Sequence, residues 1–295
     1  MKSPLLPGGK AILIDQIGLD EIEKLYPGFD IKKYFSIETI DIYKCQTSGY
    51  RFFYPFDLSG DSSYYSSLQN SSSYYLKDRW EYQLALNQIN NANKILEIGC
   101  GEGNFLEMLK ANGLIGYGTE LSETAAEKCV EKGLNVTNLS VANLSETEYE
   151  KYDVVCFFQV LEHISEVNSF ITNVIKLTKP GGMIIFSVPN NDSFIYPTMK
   201  FNKFNLPPHH MGLWNKKSIL SLEKIFKIKL IRYKEESLKP YCSELYLTYL
   251  KRLIKKIKGG GRIIDIIPQM VLKKLIFLIS PFVKGHTSYA VFKKL

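Results

Sequence analysis

Through the middle of the chain, short apolar runs alternate with segments of helical spacing. Residues 94–98 form a strand-like run with one acidic member, Glu97, and run straight into three glycines at alternate positions, Gly99, Gly101 and Gly103. Phe105, Leu106, Met108 and Leu109 then recur as one face of a helix. A second strand is expected to end over 116–120, and Ser122 is placed to cap a helix reaching about residue 132. A third strand is expected at 135–138. Residues 152–158 are almost wholly apolar, as in a strand covered on both faces. A helix over 166–176, ended by Lys179-Pro-Gly-Gly182, leads to a fifth strand at 183–188. This alternation predicts an α/β fold with a parallel sheet and helices on both faces.

The flanks pattern differently. Residues 1–56 mix turns with strand-like pieces at 11–14 and 50–54. Residues 58–75 are rich in serine and tyrosine, with Ser-Ser-Tyr-Tyr at 62–65 and again at 72–75, and read as an aromatic-bearing loop. A helix is expected over 76–91, its apolar face made by Trp80, Tyr82, Leu84, Ala85 and Ile89. Beyond Pro189 come a loop with Pro207-Pro-His-His210, a helix at 215–226, a strand at 227–233 and a last strand at 287–292. The intervening stretch, about 237–285, is rich in lysine and aliphatics and reads as a helical insertion. The expected division is an N-terminal cap over 1–75 and a catalytic domain over 76–295.

Charge divides the molecule further. Residues 94–190 hold 13 acidic and 7 basic residues, a net −6, whereas residues 251–295 hold 11 basic residues against Asp265 alone, a net +10. The second field suits a polyanionic or membrane-surface partner, or simply a solvated basic face. Five cysteines, an odd number without a C-x-x-C pair, read as free thiols in a reducing compartment. The first residues lack an apolar core of signal-peptide length, so a cytoplasmic location is expected, with the inner face of the membrane as an alternative.

The chemistry starts at the glycine turn. Strand, glycines and helix in that order make a crevice for a nucleotide, and Glu120 lies near the distance at which a carboxylate accepts both ribose hydroxyls. With no arginine beside Glu120, the ribose is expected to be free of phosphate. Together with Phe158-Gln-Val-Leu-Glu-His163, Lys179-Pro-Gly-Gly182 and Ser187-Val-Pro-Asn190, this set resembles the class I S-adenosylmethionine-dependent methyltransferases. The resemblance implies a Rossmann-like, doubly wound, mainly parallel seven-stranded sheet with an antiparallel C-terminal strand. It implies S-adenosylmethionine as cofactor. Gly99, Cys100, Gly101 and Gly103 would pass its methionine part, Glu120 would bind its ribose and the backbone around Phe158 and Gln159 its amino end, with Glu97 and Leu121 also among the cofactor-binding residues. Ser140-Val-Ala-Asn143 stands where the family often has an adenine-binding aspartate.

Orientation and proximity supply most of a methyl transfer, and a base matters when the acceptor arrives as a hydroxyl. His210 is the expected base, with His209 and His163 as further candidates. Glu162, His163 and His210 are similar to the metal set of ubiquinone-biosynthesis and small-RNA-end O-methyltransferases, but Gln159 replaces one carboxylate, and no metal is expected. Residues 43–55 resemble an eroded zinc knuckle in which Ser48 stands for the second cysteine, so no zinc is expected there either. The segment 207–214 resembles a motif of bacterial methyltransferases of surface-glycan and lipid-linked sugar pathways. The expected reaction is O-methylation of a sugar or lipid-linked glycan intermediate, with C-methylation of a nucleotide sugar as the alternative. A silent binding subunit of a membrane-associated complex is the rival class. DNA is not expected as a partner and RNA is disfavoured. The insertion is open to packing on its own domain, to a second copy, or to a membrane surface.

Overall fold

The computed structural model describes residues 1–26, 35, 37–60, 79–89, 94–198, 202–257 and 268–295. Two sheets organise them. A four-stranded antiparallel sheet has the order β1 (Ala11–Gly18), β2 (Thr39–Cys45), β3 (Arg51–Tyr54) and β9 (Gly212–Leu213). The larger sheet contains β4 (Ile95–Ile98), β5 (Gly116–Thr119), β6 (Asn135–Thr137), β7 (Tyr152–Phe158), β8 (Thr178–Pro189), β10 (Ile228–Ser237) and β11 (Lys284–Lys294). Its order is β10-β11-β8-β7-β4-β5-β6, and β11 alone runs antiparallel to the rest. The parallel sheet expected from the alternation is present, with the seven strands and antiparallel last strand that the resemblance implies. Chain order reverses between β4 and β7, which opens a crevice beyond the carboxyl ends of those strands.

The helices are α1 (Leu19–Glu23), α2 (Trp80–Leu86), α3 (Asn104–Ala111), α4 (Glu123–Glu131), α5 (Val141–Thr147), α6 (Val167–Leu177), α7 (Ile195–Thr198), α8 (Lys216–Leu220), α9 (Leu222–Ile225), α10 (Ser243–Lys255) and α11 (Gln269–Ile279). Pleating sends neighbouring strand residues to opposite faces, so each strand feeds two cores. Leu96, Val155, Ile184 and Ala290 join the α6 side with Phe170 and Val174. Ile95, Val154, Ile185 and Tyr289 join the α2–α3 side with Tyr82, Phe105 and Leu109. Phe157, Phe186 and Phe292 stack across three strands, with ring centroids 5.1 and 5.9 Å apart. Each such buried side chain contributes roughly 1.5–3 kcal/mol.

Three expectations need correcting. Lys179-Pro-Gly-Gly182 does not separate helix from strand: α6 ends at Leu177 and β8 begins at Thr178. The register jumps there, from Tyr152↔Thr178 to Val154↔Met183, so the proline–glycine segment loops out within the strand. The expected helix at 215–226 is two short helices, because Ser218 and Ser221 turn their hydroxyls back to Asn215 and Ser218 carbonyls. The strands at 183–188 and 287–292 extend further than expected, since each has a neighbour on both sides to pair with. Tyr64, Tyr65, Tyr74 and Tyr75 lie outside the described residues.

The amino-terminal strands are stitched to the larger unit. Asn168 donates to the carbonyls of Pro4 and Leu5, Ser165 donates to Phe56, and Leu5, Tyr50 and Phe52 share one apolar cluster with Leu96 and Phe186.

Candidate cofactor and acceptor site

The donor side is built mainly from backbone. Gly99 and Gly103 have φ of +68° and +83°, the left-handed region that favours glycine. A Cβ at Gly99 would stand 2.7 Å from Val160 Cγ2, and one at Gly103 would stand 2.5 Å from Leu134 Cδ1. Glu120 ties the turn to the next strand. Its carboxylate accepts the Gly101 and Ser122 amides, both at 2.9 Å. Burial raises its pKa while those amides and that of Leu121 hold it down. Two-pronged anchoring fixes the carboxylate at the rim, and Leu121 beside it is 68% exposed, an apolar side chain open for a ring to rest on. Ser140 accepts from the Asn143 amide as the cap of α5, which explains why it is no substitute for an adenine-binding carboxylate.

Glu97 is buried in β4, and its Oε2 has no hydrogen-bond partner among the described residues. Burial above all, then Cys129, holds its pKa well above the carboxylate range, with Arg79 opposing. A buried carboxyl with an unused oxygen is a ready acceptor for a cation such as an ammonium. Phe158 packs edge-on against Tyr82 and Phe105. Gln159, next in the chain, adopts φ +57°, a conformation costly outside glycine, and is held there by hydrogen bonds from its amide and Nε2 to Ser187. Cys100, expected among the cofactor contacts, buries its side chain toward Gly118, so only its backbone faces the turn.

Sequence reasoning missed a polar chain at the mouth of β7 and β8. Ser187 Oγ donates to Glu81 (3.3 Å), and Arg79 Nη1 lies 3.7 Å from the same Glu81 oxygen. Arg79 also lowers the carboxyl pKa of Glu97 and Glu162. A signal existed: arginine is scarce here, five against 32 lysines, and Arg79 precedes the helix leading into the glycine strand.

His163, His209 and His210 come together, as the resemblance implies for His163 and His210. One ligand-capable atom from each lies within 4.8 Å of the others, and the rings of His209 and His210 stack at 4.6 Å. Burial depresses all three: His163 to about 4, and His209 and His210 well below the usual imidazole range. They are therefore neutral at pH 7. Asn205 donates its amide to Asn191 (2.9 Å) and turns its oxygen to His210 Nδ1 at 3.3 Å. This network assigns the proton to His210 Nδ1 and leaves Nε2 able to accept one. His163 Nδ1 faces the His209 carbonyl in the same way. Chemically, the cluster can take a proton or hold a borderline divalent cation.

Beneath the histidines lie groups from distant segments. Glu162 is buried, its Oε2 lacks a partner among the described residues, and burial pushes its pKa up to about 8. Its carbonyl accepts the Met211 amide at 2.7 Å, which ties the loop after β7 to the histidine loop. Trp214 anchors that loop, fully buried, with Nε1 donating to Leu161 and its ring 4.6 Å from Tyr50. The Tyr50 hydroxyl occupies the space a side chain at Gly212 would need.

Sheet order, switch point and glycine turn together define a nucleotide-cofactor α/β fold of the class I methyltransferase type. Its residues fit S-adenosylmethionine: Glu97 has a buried oxygen without a partner among the described residues, and a ribose and a base would fit beside Glu120 and Leu121. Comparison with known proteins is specific about the family. The profile described as Methyltransferase domain matches residues 71–227, and the chain belongs to that family. The ubiquinone biosynthesis O-methyltransferase of Methylococcus capsulatus is 35% identical over 109 residues, covering 35% of this chain and 46% of that protein. The protein of the same name from Pseudomonas fluorescens is 28% identical over 154 residues, covering 45% and 66%. The chain thus spans about half to just under two thirds of these relatives' length. The crystal structure of an S-adenosylmethionine-dependent methyltransferase from Archaeoglobus fulgidus superposes with a TM-score of 0.52 at 16% identity, over 78% of this chain and all of that one. At that identity the likeness concerns the fold.

Proposed function

We propose that this chain transfers a methyl group from S-adenosylmethionine to a hydroxyl oxygen of a sugar or lipid-linked glycan intermediate. The carrying observation is His210, whose Nδ1 is committed to Asn205 and whose Nε2 is left as a proton acceptor. S-adenosylmethionine supplies an activated methyl on a sulfonium that is itself a good leaving group. Glu97 and Arg79 are suited to the ammonium and carboxylate of its methionine end, and Glu120 to the ribose diol. The acceptor oxygen forms its bond to the methyl carbon as the sulfur–carbon bond breaks, and its proton passes to His210 Nε2. Burial makes His210 a weak base but keeps it unprotonated at neutral pH, which suits brief acceptance of a proton as the oxygen becomes positive. Residues 1–75 serve as a substrate-covering cap in this reading, and the histidines handle protons without a metal.

The curated relatives are O-methyltransferases, which favours oxygen as the acceptor atom. They also favour a second reading, a phenolic acceptor of the kind ubiquinone biosynthesis presents. Calorimetry with S-adenosylmethionine and S-adenosylhomocysteine tests the donor half, and absence of binding at millimolar ligand would overturn it. Transfer of labelled methyl to glycans and to catechols separates the acceptors; labelling of catechols alone replaces the glycan reading. A tightly held, stoichiometric divalent metal on the purified protein would replace His210 as base with a metal-assisted oxygen.

A further inference from the structure

Between β10 and β11, α11 has two apolar faces, and among the described residues only one of them is packed. Leu272 and Ile276 are buried with Phe194, Leu238 and Leu247, and so seat α11 against α10 and the loop after β8. Helical spacing puts Met270, Lys274, Phe277 and Leu278 on the opposite side. There Met270 is 68%, Phe277 74% and Leu278 68% exposed, and Phe282 in the following turn is 89% exposed. Apolar side chains at this density in water mark a contact surface.

Charge identifies the occupant. Lys251, Arg252, Lys255 and Lys256 lie on and just after the second half of α10, Lys273 and Lys274 lie on α11, and the two helices carry a single acidic residue, Glu244. Lys273 is paired with that Glu244. Two copies of so basic a face would repel each other, which disfavours self-association through it. An anionic lipid surface satisfies both features, taking aromatic and aliphatic side chains into its acyl boundary and lysines at its phosphates. No helix among the described residues is long and apolar enough to cross a membrane, so such contact would be interfacial. We propose that Met270, Phe277, Leu278 and Phe282, with Lys273 and Lys274 beside them, form an interfacial anchor for anionic membranes.

The anchor adjoins the acceptor side. α10 packs on α7, Arg252 donates to the Thr198 carbonyl at 3.2 Å, and Phe194 contacts Tyr246 edge-on at 5.0 Å. α7 follows the loop that supplies Asn191 to the histidine network.

Flotation with vesicles of phosphatidylcholine, alone or mixed with phosphatidylglycerol, tests the anchor on the whole chain. Binding to the mixed vesicles, weakened by salt, is expected. The F277A/L278A pair should weaken it by about tenfold or more, and Lys274→Gln by about fivefold. These side chains face away from the α10 contact, so the melting temperature and cofactor binding should stay unchanged, and that control separates lost docking from lost folding. Failure of the unaltered protein to bind either vesicle overturns the anchor. So does binding that the F277A/L278A pair leaves intact. A concentration-dependent dimer that the same pair abolishes, without vesicle binding, assigns the face to a second copy instead. None of these outcomes depends on methyl transfer.

Discussion

On the proposed donor side of the cleft the glycine turn and its anchoring carboxylate lie within one short stretch, from Glu97 to Glu120; on the proposed acceptor side the groups come from Tyr50, Glu162, Asn191 and the loop to Trp214. The donor side is held by adjacent backbone: Gly99 and Cys100 donate to the Thr119 carbonyl, and Gly101 donates to Glu120. The acceptor side is held by packing across the whole chain, with β9 paired to β3 and Tyr50 filling the space over Gly212. A locally built site has geometry that few substitutions can reach except directly. A globally built site has proton affinities and tautomers that depend on burial, and these shift when distant packing shifts.

Four substitutions would break or sharpen this contrast. Gly99→Val should have the largest effect, since it adds a side chain at positive φ against Val160. We expect cofactor affinity to fall by more than about a hundredfold and stability by about 2–4 kcal/mol, read by calorimetry and denaturant melts. Glu162→Gln should act through pH. The native carboxyl titrates near about 8 and the unfolded one near 4.5, so between those values the native state holds the extra proton. Its stability contribution therefore declines as pH rises through that window. The variant lacks this decline, and should gain roughly 3 kcal/mol on wild type between about pH 5 and about pH 8. A constant offset between the two melts would refute the buried-acid account.

His210→Ala should lower turnover by about a hundredfold while cofactor affinity stays near normal, because it removes a proton acceptor and no donor contact. Near-normal turnover would remove His210 from the mechanism. Gly212→Ala should cost about 1–3 kcal/mol of stability as Tyr50 is displaced. Its test is selectivity: kcat should fall while cofactor affinity holds, and an equal loss of both would erase the distinction between the two sides.

The donor side was legible because its signals are local. Glycines at alternate positions demand a tight turn, and a carboxylate some twenty residues on demands a returning strand. Both elements are present, the turn after β4 and the strand that ends at Thr119 before Glu120. The limits of Lys179-Pro-Gly-Gly182 were misread because proline and glycine ordinarily stop an element, whereas here the segment loops out between Thr178, paired with Tyr152, and Met183, where pairing with β7 resumes. The division of the 215–226 helix was missed because serine hydroxyls compete for backbone only once the loop fixes their direction. Arg79 and Glu81 were missed because nothing in the spacing connects them to Ser187, which lies more than a hundred residues away.

The sequence by itself determined the doubly wound sheet, the glycine turn and Glu120 at the returning strand, and it marked out the three histidines that the structure brings together. Periodicity and backbone strain act over a few residues and can be read there. Only the tertiary structure decided that Glu97 and Glu162 keep unused buried oxygens, that Asn205 directs the His210 proton to Nδ1, and that α11 turns a second apolar face outward. Those properties come from desolvation and from contacts between segments far apart in the chain, which no local pattern encodes.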